Sequence, residues 1–484
     1  MIQLQNLKKI YGDKVILDGV SFVVSEKQKV GLIGPNGLGK STIFKIIRGA
    51  EEPDKGSVSI VNEIVGYLPQ VISFSEDATV ESFLRKELKD DWELYKIDYV
   101  LSRVSLGNII KSQLVSTLSG GQKTKLGIAR VLLEEPSVML LDEPTNNLDT
   151  ETLNWLEGFI KSFKGSILLV SHDRTFLDNT VDWIFELNPM DHRIYEYKGG
   201  YSDYFTQKQL HVKKHQEEYI LFEKKRKQME QWISLRKQYL SGHPDPKVGK
   251  QLQAMKTRYQ REITNVAMGK YQKEDQIKIS SFGDQTNGRK FIFYIQKLQF
   301  KNLFKCEKLL ISGEDRIHLK GSNGAGKSTL IKILVGIIKE YEGSVELGKD
   351  VRLGYFAQEH ELFDDKATVL DTFMKRTLID GEQAARGVLG GFLFKGNHVF
   401  SRISEISQGE KVKLAFAILT HQDNQFLILD EPTNHLDINS REVLEDALTG
   451  YKGGLIVVSH DRFFLDEIGI NRVIEINKGL VREV

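Results

Sequence analysis

The clearest pattern along the chain is a set of short, largely apolar runs that appear twice. In the first half they are "QKVGLIG", "SVMLLDE" and "ILLVSH"; in the second they are "DRIHLKG", "QFLILDE" and "LIVVSH". Runs of this length, rich in β-branched residues and closed by polar or glycine residues, predict strands of a parallel sheet buried on both faces. Between the two sets the period changes. Leu252, Met255, Tyr259, Ile263 and Val266 recur at spacings of 3, 4, 4 and 3, and Phe222, Met229, Ile233 and Leu240 at 7, 4 and 7. Each set is one stripe of a helix. Gly242, Pro244 and Pro246 break the helical pattern between them. Two helices paired antiparallel along these stripes are therefore expected.

The apolar runs carry polar motifs at their ends, and these repeat as well. "GPNGLGKS", "YLPQ", "LSGGQ", "DEPTNNLD" and "SHDRTFLD" are followed in the same order by "GSNGAGKS", "YFAQ", "ISQGE", "DEPTNHLD" and "SHDRFFLD". Gln70, Ser119, Asp142 and His172 each recur 288 residues later, as Gln358, Ser407, Asp430 and His460, whereas Gly34 and Gly321 lie 287 apart. Five dissimilar motifs in one order at one offset indicate a duplicated domain.

Each motif has a physical task. In the G-x-x-x-x-G-K-S loops, glycines let backbone N–H groups close around phosphate at a helix N-terminus. The residues so placed are Gly34, Asn36, Gly37, Gly39, Lys40, Ser41 and Thr42, and Gly321, Asn323, Gly324, Gly326, Lys327, Ser328 and Thr329. Lys40 and Lys327 are expected to reach the phosphates, and Ser41 and Ser328 to ligate Mg²⁺. Asp142 and Asp430 end buried runs, where they can hold the same ion. Glu143 and Glu431, one residue on, are placed to orient or deprotonate an attacking water. His172 and His460 close the third run of each half, where an imidazole can sense a γ-phosphate. The remaining histidines have no such setting.

Taken together, these motifs resemble those of the ATP-binding cassette (ABC) superfamily, in which the LSGGQ signature lies between the phosphate loop and the acidic strand. The resemblance implies an α/β fold of two P-loop ATP-binding cassette domains, over 1–199 and 276–484. A basic antiparallel α-helical hairpin linker over 200–275 would join them. It also implies head-to-tail pairing within a monomer. Each ATP, with Mg²⁺, would lie between one phosphate loop and the signature of the other cassette. Ser119, Gly120, Gly121 and Gln122 would thus face the second loop, and Ser407, Gly409 and Glu410 the first. Gln70 and Gln358 would complete the metal shell, and Tyr11 would stack on adenine. By spacing the counterpart of Tyr11 is Leu298, with Phe300 and Phe304 nearby, which leaves the second adenine ring open. Gln408 stands where the signature has a small glycine, which implies unequal sites.

Both cassettes in one chain, with DEPTN-x-LD and SHDR-x-FLD in each, resemble the ABC-F branch, whose members act on ribosomes. The distance from glutamine loop to signature is 49 residues in both halves, so the first cassette carries no added arm there. No run approaches the roughly 20 apolar residues of a bilayer-spanning helix. The opening "MIQLQNLKKIYGDK" has no signal-peptide pattern, and Cys306 is the only cysteine. A cytoplasmic protein without a membrane partner is expected.

Net charge alters this picture. The total is +1, but residues 208–273 hold 16 Lys and Arg against 6 Asp and Glu, leaving the rest of the chain acidic. Arg236, Lys237, Lys247, Lys250, Lys256, Arg258 and Arg261 concentrate near the turn, against Asp245 alone within 236–261. Clustered cations favour phosphate binding, and Trp232, Tyr239 and Tyr259 are available to stack on unpaired bases. The resemblance implies that this hairpin enters the 70S ribosome and touches rRNA and the peptidyl-site tRNA near the peptidyl transferase centre. Two uses follow: protection of the ribosome from antibiotics, or a housekeeping role in translation. A transporter ATPase subunit is a further reading, although it has no need of a basic hairpin. DNA-repair ABC ATPases place their coil inside a cassette rather than between two.

Overall fold

The computed structural model describes the chain except residues 62, 89, 147, 244, 265–290, 358–362, 378 and 435. The chain divides into two compact units: Met1–Tyr201 with Gln276–Val484, and Ser202–Asp275.

In the larger unit the apolar runs form parallel strands, as expected. The first cassette has a six-stranded sheet in the order Val65–Leu68, Val138–Asp142, Ser166–Val170, Lys29–Ile33, Trp183–Leu187, Ile194–Lys198. All but the last, antiparallel, strand run parallel. Beside it, Lys14–Val24, Ile2–Tyr11 and Lys55–Ile60 make an antiparallel sheet. The second cassette repeats this order, and the pairing of Lys305 with Leu480 joins the corresponding sheets into one of nine strands. Val138–Asp142 and Phe426–Asp430 are buried at every position, which is why they read as unbroken apolar runs.

These strands deliver chemistry at their C-terminal ends. Asp142 pairs in register with Val170, and Asp430 with Val458, so each acidic residue lies beside the strand that ends before the motif histidine. Lys29–Ile33 and Arg316–Gly321 feed the phosphate loops, and helices Lys40–Ile47 and Lys327–Leu334 follow. Gly39 and Gly326 cap these helices at φ values of 107° and 100°, in the left-handed region. A Cβ on Gly39 would also lie 2.4 Å from Ile16.

The smaller unit holds the helix Tyr201–Gly242 from its second residue onward, then Pro246–Tyr259 and a short wide turn, Gln260–Thr264. Gly242 ends the first helix. Asp245 caps the second, accepting from the N–H groups of Lys247 and Val248, with Pro246 at the first position. Tyr259 Oη donates to Glu230 Oε1 at 2.7 Å, and Lys225 meets Glu262 at 2.9 Å. The two helices therefore run antiparallel. Met229, Leu252 and Ile263 are buried; Phe222, Ile233, Leu240, Met255 and Tyr259 are half-buried. Val266 and Pro244 lie outside the described residues.

Candidate active site

The first site is a cleft of about 740 Å³ between the cassettes. From the first cassette it is lined by Tyr11, Asn36, Gly37, Gly39, Lys40, Ser41, Thr42, Gln70, Asp142, Glu143 and His172. From the second come Ser407, Gln408, Gly409 and Glu410. The signature is thus brought to the opposite phosphate loop. Ser407 caps the helix Gln408–Thr420 in a reciprocal box with Glu410, so the N–H end of that helix is presented to the cleft. Gln408 is the first residue of that helix and is exposed there.

A second cleft of about 360 Å³ contains Asn323, Gly324, Gly326, Lys327, Ser328, Thr329, Asp430, Glu431 and His460. Its lining from the first cassette is Thr145, Asn146, Leu148, Leu153 and Asp173. Ser119, Gly120, Gly121 and Gln122 do not line it. They cap the helix Gly120–Leu133 in the same reciprocal box, with Gly121 packed on Thr152, where a Cβ would lie 2.6 Å from Oγ1. Gly34 and Gly321 lie behind their loops, their carbonyls accepting from Lys40 at 2.6 Å and Lys327 at 2.7 Å. Gln358 lies outside the described residues.

Burial dominates the electrostatics of both sites. It pushes the Glu143 carboxyl up to about 7 and that of Glu431 up to about 8. Burial likewise lowers both lysines and both histidines, His460 to about 4. Both rings are therefore neutral near pH 7. His172 Nε2 lies 3.1 Å from Glu143 Oε1 and 3.0 Å from Asn36 Oδ1, while His460 Nε2 stands 3.5 Å from Glu431 Oε1. Asn36 Oδ1 and Glu143 Oε1 therefore meet at one ring nitrogen of His172. Glu143 and Glu431 both adopt φ of 50°, uncommon for a non-glycine residue, and their N–H groups donate to Val170 and Val458 at 2.9 Å. The duplicated geometry fixes each carboxylate just past its strand.

The residues also suit a divalent cation. Both Asp430 carboxylate oxygens are buried without a hydrogen-bond partner, although burial has raised that carboxyl. A buried acceptor pair left unsatisfied costs free energy that a cation would recover. Among the described residues no cluster of three or more His, Cys, Asp or Glu forms a metal cage. That donor set matches Mg²⁺ held by one carboxylate, one hydroxyl and nucleotide phosphates.

Two details depart from sequence spacing. Leu298, aligned with Tyr11 by number, is buried inside its strand at 1% exposure. The register equivalent is Phe300, because Tyr11 and Phe300 each end the first strand of a hairpin, and the strand that follows, Phe304–Ser312, is two residues shorter than Lys14–Val24. Phe304 packs against Phe300, and Leu303 lines the cleft. The tip charge also has acids that the window 236–261 missed: Glu262 takes Lys225, Arg258 and Arg261 together. These cations hold the Glu262 carboxyl down to about 2. Asp245 is engaged as a helix cap, and Arg236 lies over the Trp232 ring. Lys237, Lys247, Lys250 and Lys256 are exposed, with no ion pair among the described residues.

Sequence reasoning also passed over Arg174 and Arg441. Arg174 Nη1 donates to Glu445 Oε2 at 2.9 Å, and Nη2 to the Ile438 carbonyl at 3.1 Å, across the two cassettes. Arg441 Nη1 donates to the His172 carbonyl at 3.0 Å. The signal was a cation in one repeat facing an acid in the other, visible only once the halves are packed together.

A facing pair of such cassettes in one chain defines a tandem ABC ATPase, which hydrolyses ATP. The family profile described as ABC transporter matches residues 17–146 and 308–434. ATP-binding protein Uup of Buchnera aphidicola (subsp. Schizaphis graminum, strain Sg) is 32% identical over 96% of this chain and 79% of its own. ABC transporter F family member 5 of Arabidopsis thaliana is 32% identical over all of this chain and 76% of its own. The chain belongs to the ABC-F family. In fold it is similar to the archaeal ribosome recycling factor aABCE1, solved with the ribosomal stalk protein aP1, at a TM-score of 0.65 and 21% identity. That likeness covers 97% of this chain and 87% of the other. Among the described residues, no helix is long and apolar enough to cross a membrane.

Proposed function

We propose that this ATPase acts on the ribosome. Two cassettes, 1–199 and 276–484, close on ATP, and the linker 200–275 carries that closure to RNA. The observation that carries this reading is the set Lys237, Lys247, Lys250 and Lys256, exposed and without an ion pair among the described residues, in a helical pair otherwise laced by ion pairs. A mere spacer gains nothing from four like charges held there, whereas a phosphate backbone is bound by them. The ribosomal context of the fold neighbour supports the same direction.

At each site, Glu143 or Glu431 takes the proton of the attacking water, and its raised pKa makes it a usable base near neutrality. His172 and His460 hold those carboxylates and face the γ-phosphate. The phosphate loops and the residues of the signatures, with Tyr11 under adenine, bind the nucleotide. Asp142 with Ser41 and Gln70, and Asp430 with Ser328 and Gln358, would hold Mg²⁺, which neutralises charge on the β- and γ-phosphates. The hairpin reaches the peptidyl-site tRNA near the peptidyl transferase centre, in the cytoplasm, with protection from antibiotics as its use.

Ribosome cosedimentation across a salt series tests this. Replacing Lys237, Lys247, Lys250 and Lys256 with Gln should weaken retention and lower the salt slope by roughly one unit for each phosphate no longer neutralised. An unchanged slope would refute phosphate binding by the hairpin. Expression in a drug-sensitive bacterium separates protection, which raises resistance, from housekeeping, which does not.

A further inference from the structure

The duplication supplies its own control: where the halves differ at one structural position, the fold itself does not require the difference. Arg441, in the helix Ile438–Gly450, is such a position. Its counterpart 288 residues earlier is Leu153, in the helix Thr150–Ser162, which has no donor to offer.

Arg441 is only 7% exposed. Nε donates to the Leu436 carbonyl at 3.2 Å, and Nη1 to Asp461 Oδ2 at 2.8 Å, both in its own cassette. Nη1 also donates to the His172 carbonyl of the first cassette at 3.0 Å. The ring closes on the far side. Asp437, one residue after Leu436, lies 3.4 Å from the Asn36 N–H, and Asn36 Oδ1 in turn meets His172 Nε2. His172 and Asn36 are thus braced from the second cassette through backbone and side chain together. Asp461, which fixes Arg441, directly follows His460. Arg441 lines both clefts.

We infer that Arg441 is a positioning residue for the first ATP site, a one-sided brace through which the second cassette's Asp461 sets the placement of His172. Among the described residues the second site has no such brace, since Leu153 occupies the mirrored place. A buried guanidinium shared by three acceptors holds one geometry. Its loss lets the His172 backbone shift, and misplacing a catalytic group by about 1 Å can cost up to 100-fold in rate.

This inference rests on Glu143 and Glu431 being the two bases, so the experiment is built on site-resolved backgrounds of the full chain. With Glu431→Gln only the first site turns over, and with Glu143→Gln only the second. Arg441→Leu should lower kcat about 10-fold in the first background, leave KM there within about 2-fold, and cost at least about 3-fold less in the second. Asp461→Asn keeps the helix cap but loses the carboxylate partner, so it should act in the same direction in the first background. Equal losses in both backgrounds would mean a general structural defect and overturn the inference, as would no loss in the first. If neither Glu→Gln variant lowers turnover by itself, the assignment of the bases fails instead.

Discussion

Arg174 offers the sharpest energetic test of the junction. It is 4% exposed, bonded to Glu445 and the Ile438 carbonyl, 3.7 Å from Glu442, and covered by the rings of Phe463 and Tyr201. Its duplicate, Arg462, pairs with Asn154 and Glu157 but keeps 36% of its side chain exposed. Arg174→Met retains most of the packing volume and leaves Glu445, Glu442 and one carbonyl without their cation. Removing one partner of a buried ion pair costs about 3–5 kcal/mol, against about 0–1 kcal/mol for the exposed Arg462 pair. At ~2–4 °C per kcal/mol for domains of this size, the first thermal transition should fall by roughly 10 °C in Arg174→Met. Arg462→Met should shift it little. Differential scanning calorimetry with far-UV dichroism reads this, taking the first transition because several domains need not unfold together. Arg174→Met with Glu445→Gln should recover most of the loss, since neither partner is then charged. The sign with pH follows from Glu445, whose burial pushes its carboxyl up to about 7. A raised carboxyl favours the folded state fully below its unfolded pKa, and that benefit is lost as pH rises through the folded value. The Arg174→Met defect should therefore be worse at pH 8 than at pH 6. A double variant no more stable than the single one, or a defect independent of pH, would refute the reasoning.

Other outcomes follow from the sites. ATPase activity should rise with pH through about 7 to 8 and then level off, because Glu143 and Glu431 must lose their raised protons to act as bases; a flat profile from pH 6 to 9 would contradict this. Glu143→Gln with Glu431→Gln should lower kcat at least about 100-fold, measured by phosphate release. Chelation of Mg²⁺ should abolish turnover, and Asp430→Asn should reduce it while stabilising the chain without nucleotide, because both buried Asp430 oxygens lack partners; unchanged melting would count against that account. Gln408→Gly should raise turnover at the first site, measured with Glu431→Gln in the same chain.

Much of the fold was legible because its determinants are local. Runs such as "VMLLDE" bury every side chain, so their strands and terminal carboxylates can be read without partners. The break at Gly242 and Pro246 likewise falls between the two hairpin helices. What escaped was contact across the chain. Glu262 neutralises Arg258 and Arg261 from a helix-turn neighbour just outside the counted window. Numerical offset pointed to Leu298 as the counterpart of Tyr11, whereas strand register selects Phe300, because the next strand, Phe304–Ser312, is two residues shorter than Lys14–Val24 and the connection after it one residue shorter, which outweighs the longer hairpin loop. Arg174 and Arg441 look like ordinary helix-surface cations until the opposite repeat covers them. The unequal lining of the two clefts is of the same kind, since local motifs do not specify how far a signature reaches across the junction.

The central claim is that ATP-driven closure places this chain on the ribosome and hydrolysis releases it. The direct measurement is cosedimentation with 70S ribosomes of the Glu143→Gln, Glu431→Gln variant in ATP. This variant should pellet with ribosomes while the unsubstituted chain is largely released. A variant that stays in the supernatant at low salt would contradict it.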